Sequence, residues 1–310
     1  MAAADAVRVQ APAKINLFLH VGEKRSDGYH AVQSLVAFAD AGDALTFELA
    51  DALALSVEGP FASALAGESE NLVLKAATAL AARAGIQARA RIVLTKNLPV
   101  ASGIGGTATD AAAALRGLSR LWSLTIAESE LGAIAAALGS DVPVCLASVP
   151  AWMEGRGERL ASIPALPGLP LLLINPGVAV ATAEVFAALE TRHGADMTMP
   201  AGGFHDTADL LRFLETTAND LEAPARKLHP VIGDVLKALA SMPGALFERM
   251  SGSGATCFAL FADEHSLSGA EQALRASHAD WWIAASTIPP TGIKPPEVEG
   301  VDIEPTDDGL

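Results

Sequence analysis

The chain of 310 residues has few cysteines, few aromatic residues and no long apolar run. Its two cysteines, Cys145 and Cys257, are too few for a disulfide scaffold or a thiolate zinc site. The best apolar segment, residues 169–180, is broken by prolines and a glycine, so we expect no membrane span and no membrane partner. The first ten residues lack the basic and apolar regions of a signal peptide. These absences predict a globular protein of a reducing compartment, the cytoplasm.

Positive charge is also scarce, with 21 basic against 36 acidic side chains and a formal net charge of −15. Residues 1–160 carry 13 basic and 16 acidic side chains, whereas residues 161–310 carry 8 and 20. Because phosphate backbones are met by lysine and arginine, this balance argues against a nucleic-acid partner. Apolar residues make up 51% of the chain, which is enough for a large core.

Hydrophobic periodicity predicts mixed α and β structure along the whole chain. Gly85 is a predicted stop for the first helix, and Thr125 with Glu128 fits a capping box for the third. In the first half we predict strands at 13–21, 31–39, 44–49 and 88–95, and helices at 71–84, 107–121 and 127–138. In the second half we predict strands at 171–175, 245–250, 256–261 and 281–286, and helices at 182–189, 206–214, 219–227, 231–241 and before the last strand.

A proline-rich stretch at residues 163–170 divides the two halves. We therefore predict an N-terminal domain at 1–162 and a C-terminal domain at 163–287. Residues 288–310 are rich in proline and acidic side chains, which predicts a loosely ordered tail.

The strongest chemical signal is a glycine-rich segment between a predicted strand and a predicted helix, PVASGIGGTATD at residues 99–110. Glycines let successive backbone N–H groups turn toward one anion, and a helix start adds unpaired N–H groups and a positive dipole end. An oligophosphate is therefore the expected ligand. The residues assigned to it are Pro99, Ala101, Ser102, Gly103, Ile104, Gly105, Gly106, Thr107 and Thr109.

From the residues alone, three interpretations of this loop stay open, and a P-loop is not one of them. A GxxxxGK[ST] P-loop does not occur in the chain. Gly103, Gly105 and Ala108 fit the Rossmann pattern, but the loop before Gly103 is long and contains a proline, and its strand does not open a βαβ series. An ordinary glycine-rich turn before a helix is the structural alternative. A nucleotide site of neither the P-loop nor the Rossmann type is favoured.

Three motifs in order resemble the GHMP kinase superfamily: PAKINL from Pro12, PVASGIGG from Pro99 and MSGSGAT from Met250. The resemblance spans about residues 12–261. It implies an α+β, two-domain GHMP kinase fold, with an N-terminal domain like domain 2 of ribosomal protein S5 and a C-terminal ferredoxin-like domain. It also implies that ATP and the acceptor bind in the cleft between the domains.

Within the superfamily, SDGYH ending at His30, GSDVP around Asp141 and NDLE from Asn219 resemble the branch that phosphorylates a cytidyl diphosphate of methylerythritol in isoprenoid biosynthesis. The resemblance implies an ATP- and Mg²⁺-dependent kinase of this small molecule, in a monomer or weak homodimer. No dedicated protein ligands for Mg²⁺ are predicted, because Mg²⁺ bridges phosphate oxygens. A kinase of mevalonate, homoserine or a sugar, and a non-catalytic nucleotide-binding protein, are the alternatives.

The resemblance assigns Asp141 as the catalytic base and Lys14 as its partner. From the sequence alone, Asp141 is also a candidate cap or turn residue, and Lys14 a strand-edge lysine. An ammonium beside a carboxylate would hold it ionised and offset charge near the transferred phosphoryl group. Asn16 follows on the same strand face and is expected to hydrogen-bond the acceptor.

The resemblance also places the cytosine between Tyr29 and Phe186, with His30 at the edge of the base. The structural alternatives are a packed hairpin aromatic for Tyr29 and a surface position for His30. Thr182 is a further candidate substrate contact. In the turn at residues 251–254, Ser253 and Gly254 are expected to close over the substrate or the phosphates, with a plain hairpin as the alternative.

Asn71 and Lys96 are assigned by resemblance to the surroundings of adenine and its ribose. Their alternatives are a helix cap and a solvated strand end. The loop departs from the family pattern at Thr107 and Ala108, which stand where a glycine and a serine are common. Either Thr107 or Thr109 would then supply the hydroxyl that helps to hold phosphate or Mg²⁺.

Overall fold

The protein's structure, a computed structural model, describes residues 6–26, 28–65, 71–291 and 299–301, the last three by their backbone. Apart from residues 288–291 and 299–301, the predicted loose tail lies outside the described residues. Among the helices that the structure describes, none is long and apolar enough to cross a membrane.

The larger β-sheet belongs to the first half of the chain. Among the described residues its strand order is β12-β1-β3-β5-β4, with β2 and β6 also paired to β3, and β7 paired to β6. Only the β4–β5 pair is parallel among these strands. The bounds are β1 (Ala6–Asn16), β2 (His20–Lys24), β3 (His30–Glu48), β4 (Leu53–Glu58), β5 (Ala90–Thr95), β6 (Ala151–Gly155), β7 (Arg159–Ser162) and β12 (Glu299–Val301).

Strand β3 corrects the prediction of two separate strands in this region. It is continuous and pairs with β1 along most of its length, across an irregularity between Pro12 and Lys14. The predicted single strand at 13–21 is also wrong, because these residues belong to two strands: the chain leaves β1 after Asn16 and starts β2 at His20. Long-range pairing, which local periodicity does not report, decides both differences.

The helices of the first half are α1 (Leu72–Ala84), α2 (Gly106–Leu121), α3 (Glu128–Leu138) and α4 (Val142–Ala147), with a 3₁₀ turn at Ala62–Leu65. One of them, α2, packs on the larger sheet, and the other three pack against α2. Gly85 ends α1 in the left-handed conformation, as predicted. The predicted capping box of α3 is wrong: the capping position is Ala127, no side chain caps the helix there, and Thr125 lies too far upstream.

The second half forms an antiparallel sheet in the order β11-β8-β10-β9, the strand order of a ferredoxin-like domain. Its strands are β8 (Leu169–Asn175), β9 (Ala245–Met250), β10 (Cys257–Phe261) and β11 (Trp282–Ile288). Its helices are α5 (Thr182–Ala187), α6 (Thr207–Glu215), α7 (Glu222–Leu228), α8 (Val231–Ala240) and α9 (Glu264–Ser277). The predicted α+β architecture is confirmed.

The two halves share packed contacts. One buried apolar cluster contains Ile15 and Phe18 from the first half and Leu171 and Phe258 from the second. The buried guanidinium of Arg249 in β9 donates to the backbone oxygen of Leu17 at 2.8 Å and to that of Thr217 at 2.6 Å. These contacts therefore attach the second sheet to the segment of the first half that directly follows β1.

Candidate active site

A cavity of about 360 Å³ opens between the two halves of the chain. Its walls come from β1, the glycine-rich loop, the start of α4 and β6 on one side, and from residues 180–186 and the turn after β9 on the other. The predicted residues that line it are Lys14, Asn16, Pro99, Ala101, Ser102, Gly103, Gly105, Gly106, Thr107, Asp141, Thr182, Phe186 and Ser253. Ile104, Thr109, Asn71, Lys96, Tyr29, His30 and Gly254, also predicted, are not part of this lining.

Helix α2 begins at the cavity, with Gly105 as its cap residue at φ +68° and no side chain capping it. Its first backbone N–H groups are therefore available to an anion in the cavity. The side chain of Thr107 is exposed there, whereas buried Thr109 donates its hydroxyl to the backbone oxygen of Gly106 at 2.9 Å. Of the two threonines that the sequence left open, only Thr107 lines the cavity.

The glycine-rich loop locks against the turn after β9. The hydroxyl of Ser251 donates to the backbone oxygen of Gly103 at 3.1 Å, and the N–H of Thr256 donates to the oxygen of Ser102 at 3.0 Å. A Cβ on Gly103 would lie 2.4 Å from the backbone oxygen of Ser251, and φ there is +78°. Only glycine permits this backbone-to-backbone approach.

Asn219 supports the same turn from the second half. Its side-chain amide donates to the backbone oxygens of Met250 and Gly252, both at 2.8 Å. The backbone on either side of Asn219 is hydrogen-bonded to Leu19, so α7 starts at Glu222 and the predicted start at residue 219 is wrong. Predicted Gly254 belongs to the same turn but does not line the cavity, and its N–H donates to the backbone oxygen of Ser251 at 3.0 Å.

Lys14 and Asp141 meet in the cavity, 2.8 Å apart from Nζ to Oδ2. Lys14 has only 4% of its side chain exposed, whereas Asp141 has 40%. Asp141 stands at the first turn of α4 but makes no side-chain cap bond, so the cap alternative is not what the structure shows. One carboxylate oxygen is thus paired with the ammonium in a cavity that also contains the N-terminus of α2.

Asn16 lies beside Lys14 with its side chain buried. Its Nδ2 donates to the Ser34 hydroxyl at 2.8 Å, and its backbone N–H donates to the Ser251 hydroxyl at 3.1 Å. On the opposite wall, the hydroxyls of Thr182 and Ser253 lie 2.9 Å apart. Polar groups from both halves of the chain therefore face the space next to the Lys14–Asp141 pair.

Ring side chains gather next to the cavity, around the lining residues Phe186 and Arg156, in a region here called the ring end. His30 stacks on Phe186, with ring centroids 5.4 Å apart and ring planes 20° from parallel. Tyr29 is 56% exposed, and the guanidinium carbon of Arg156 lies 5.1 Å from its ring centroid. Burial lowers the pKa of His30, and Arg192 and Lys24 lower it further, so its imidazole stays neutral at neutral pH.

Arg156 is a cavity residue that sequence reasoning missed. It stands in the turn between β6 and β7, a hairpin that the sequence prediction did not contain. The only available signal was the short Gly155-Arg156-Gly157 run, because both glycines have positive φ, as tight turns require.

Lys96 and Asn71 are not brought to this cavity. Lys96 has 1% of its side chain exposed and binds two buried carboxylates, which excludes the solvated-strand-end alternative and leaves it no exposed ammonium. Asn71 caps α1, accepting from the N–H of Val73 at 2.9 Å. It lines a separate groove of about 850 Å³ between α1 and α3.

Comparison with known sequences identifies both halves of the chain. The family model for the GHMP kinases N-terminal domain matches residues 71–148, and the model for the GHMP kinases C-terminal domain matches residues 201–280. A 4-diphosphocytidyl-2-C-methyl-D-erythritol kinase of Granulibacter bethesdensis is 52% identical over 86% of this chain and 89% of the relative. The kinase of the same name from Ruegeria pomeroyi is 50% identical over 91% of this chain and 99% of the relative.

Solved structures agree with these relatives. A crystal structure of 4-(cytidine 5'-diphospho)-2C-methyl-D-erythritol kinase has a TM-score of 0.75 and 34% identity, covering 90% of this chain and 98% of that one. A homoserine kinase of Cytophaga hutchinsonii has a TM-score of 0.72 at 21% identity, covering 95% of this chain and 98% of that one, and so shares the fold. The chain belongs to the GHMP kinase superfamily and, within it, to the 4-diphosphocytidyl-2-C-methyl-D-erythritol kinase family.

Proposed function

We propose that the protein transfers the γ-phosphoryl group of ATP to the 2-hydroxyl of 4-diphosphocytidyl-2-C-methyl-D-erythritol, giving the 2-phosphate and ADP. The observation that carries this proposal is the Lys14–Asp141 pair, 2.8 Å apart, in the same cavity as the open N-terminus of α2. A proton acceptor and an anion site in one enclosed space are what phosphoryl transfer to an alcohol requires.

Asp141 is the proposed base. Its carboxylate takes the proton of the acceptor hydroxyl as the oxygen forms its bond to phosphorus, while the bond from phosphorus to the ADP oxygen breaks. Lys14 holds the carboxylate in place and offsets negative charge around the phosphoryl group. The acceptor is a tertiary alcohol and a poor nucleophile, so orientation by Asn16, Thr182 and Ser253 is an important contribution.

The phosphates of ATP are proposed to lie on the glycine-rich loop and the start of α2. Mg²⁺ would enter with the nucleotide, because a cation that keeps most of its ligands on phosphate and water needs few from the protein. Thr107 is the loop hydroxyl at the cavity that fits this role, and no cluster of three acidic, histidine or cysteine residues occurs in the part of the chain that the structure describes. When bound, Mg²⁺ would neutralise charge developing on the phosphate oxygens.

The cytosine is proposed to bind at the ring cluster, with Tyr29 and Phe186 on its faces and His30 at its edge. In the structure His30 stacks on one face of Phe186. To hydrogen-bond the edge of a cytosine, His30 would have to leave this stacked position. The neutral imidazole has one donor and one acceptor nitrogen for the base. Arg156, beside Tyr29, adds a positive charge for the substrate diphosphate.

Release of ADP from the purified protein tests the proposed reaction. The cytidyl substrate is compared with mevalonate, homoserine and galactose, with and without Mg²⁺. We expect turnover with the cytidyl substrate only, and loss of turnover when Mg²⁺ is chelated. No turnover with the cytidyl substrate, or equal rates with another acceptor, would overturn the proposal. The cytoplasmic location and the monomeric or weakly dimeric state stay predictions.

A further inference from the structure

Three charged side chains, Asp43, Lys96 and Asp110, form a buried cluster directly beneath the glycine-rich loop, here called the loop clamp. Lys96 Nζ lies 2.5 Å from Asp43 Oδ2 and 2.7 Å from Asp110 Oδ2. None of the three has more than 3% of its side chain exposed. Burial at this level removes water from all three side chains, so their polar atoms depend on each other for hydrogen bonds and charge balance.

Asp43 connects the clamp to the start of the loop. Its Oδ1 accepts the backbone N–H of Asn97 at 2.6 Å and that of Leu98 at 2.8 Å. Asp43 stands in β3, at the centre of the larger sheet. The two residues that lead into the loop are thereby fixed to the sheet.

Asp110 connects the clamp to the end of the loop, because it belongs to the first turns of α2. A Cβ on Gly106, the first residue of that helix, would lie 3.1 Å from Lys96 Nζ. The Lys96 ammonium therefore connects the two sides of the loop. It binds Asp43, which holds the start of the loop, and Asp110, which belongs to the helix at its end. The distance between the two sides determines where the N–H groups of the loop and of α2 converge.

We propose that Lys96, Asp43 and Asp110 are positioning residues for the nucleotide phosphates, closing the loop into its anion-binding shape without touching the ligand. This inference rests on the proposed function, since it takes a nucleoside triphosphate as the ligand of the loop. It replaces the sequence-based expectation that Lys96 contacts adenine or ribose. A displacement of about 1 Å in such a site is enough to lower activity by orders of magnitude.

The charge state of the clamp agrees with this role. Burial raises the pKa of Asp110 to about 8, against the opposing effect of Lys96. Burial alone lowers the pKa of Lys96, but Asp110 and Asp43 together raise it above its ordinary value. At neutral pH one carboxylate and one ammonium balance, so the clamp adds little negative charge under the phosphates.

Two substitutions at one position separate the bridge from the charge. Asp110→Ala removes the bond between Lys96 and α2, whereas Asp110→Asn keeps an oxygen that accepts from Lys96 Nζ but can carry no negative charge at any pH. Both leave Asp43 and Lys96 as a neutral pair. Arg91→Ala is the control. Arg91 lies in β5, the strand that ends just before Lys96, and its side chain pairs with Glu48 at the surface.

The binding of Mg²⁺-ATP is measured by calorimetry without acceptor, together with kcat and the two KM values. For Asp110→Ala we expect ATP binding weaker by about tenfold or more, with the acceptor KM within about twofold of wild type. Asp110→Asn and Arg91→Ala should bind ATP within about threefold of wild type. Equal ATP affinity in Asp110→Ala and wild type, or equal losses in Asp110→Ala and Asp110→Asn, would overturn the proposal.

Lys96→Met removes the centre of the clamp and should weaken ATP binding further than Asp110→Ala. If it does not fold, the Asp110 pair still decides the question. Failure of the proposed function would show differently, as wild-type protein that binds ATP but does not phosphorylate the cytidyl substrate. A clamp without a positioning role would show as normal ATP binding in every folded variant.

Discussion

The two ends of the cavity are built in opposite ways. At the phosphate end, backbone meets backbone at Gly103 and the turn after β9, and the charges beneath the loop are buried. At the ring end, the Tyr29 side chain is 56% exposed, and the exposed guanidinium of Arg156 lies over its ring. One end is held by main-chain contacts, the other by side chains on the surface.

This difference follows from what each end is proposed to recognise. Phosphate is held by several N–H groups that must converge before the ligand arrives, so the backbone there has to be fixed. A flat base is held by stacking, which tolerates some rearrangement of the rings that contact it. Substitutions at the phosphate end should therefore affect folding and ATP binding together, whereas those at the ring end should affect acceptor binding alone.

The largest expected effect is at Gly103. Gly103→Ala adds a Cβ 2.4 Å from the Ser251 oxygen at φ +78°, which should cost about 1–3 kcal/mol of backbone strain and about 1–3 kcal/mol of overpacking. Gly85→Ala is the matched control, because φ there is +67° but no atom lies within 4 Å of the added carbon. Urea denaturation measures both free energies of unfolding. Equal losses would mean that the loops are not locked together.

The next effect is at the proposed base. Asp141→Asn should lower kcat by about 10²-fold or more, whereas the thermal unfolding midpoint should change little, because the Asn oxygen still accepts from Lys14 and Asp141 makes no cap bond. Asp206→Asn is the control, since Asp206 caps α6 away from the cavity and should keep the wild-type kcat. An unchanged kcat in Asp141→Asn would mean that this carboxylate is structural.

Tyr29 tests the ring end. Tyr29→Ala should raise the KM for the cytidyl substrate by the equivalent of about 1–3 kcal/mol, the usual worth of one stacked base. The KM for ATP and the stability should stay at their wild-type values, because the side chain is 56% exposed. Tyr29→Phe keeps the ring and should restore substrate binding. A matching rise in the KM for ATP would contradict the separation of the two ends.

A smaller effect distinguishes the two loop threonines. Thr107→Val should raise the KM for ATP by about tenfold, as expected for one hydrogen bond to a charged group. Thr109→Val should change it much less, because that hydroxyl already bonds to the Gly106 oxygen at 2.9 Å. Steady-state kinetics at saturating acceptor measures both. The reverse order would show that the hydroxyls exchange roles when ATP binds.

The smallest effect is a pH dependence of stability at His20, in β2 behind the ring end. Burial lowers its pKa below the ordinary 6.5, although Asp220 acts in the opposite direction. Below that pH the unfolded chain takes up a proton that the folded chain refuses, so the free energy of unfolding should fall as pH falls through 6.5. His20→Gln should flatten this dependence in denaturation measured from pH 8 to pH 5.

Sequence reasoning succeeded where local signals dominate. The glycine stop of α1 at Gly85 and the glycine-rich start of α2 at Gly105 depend on backbone preferences that a few adjacent residues express. The alternating strand before Lys96 likewise has its periodicity in its own residues. The pairing of Lys14 with Asp141, by contrast, came from family resemblance and not from the residues between them.

The failures at Lys96 and Arg156 share one cause, which is that the decisive partner is distant in sequence. Lys96 is a charged residue directly after a predicted strand, so the local sequence favours a strand end exposed to solvent. Asp43, 53 positions earlier, and Asp110, 14 positions later, decide that it is buried. Arg156 reaches the cavity because β6 pairs with β3, where Gly155 faces Val32 from far earlier in the chain.

The sequence by itself determined the chemistry that the chain can offer, namely a loop for phosphate, a lysine and an aspartate in motifs of one family, and a composition that disfavours polyanions. The tertiary structure alone decided which of these groups meet. It placed Thr107 rather than Thr109 at the cavity and put Lys96 beneath the loop. The reason is physical: a side chain's role depends on burial and on its partners, and both are set by packing between segments that local sequence does not connect.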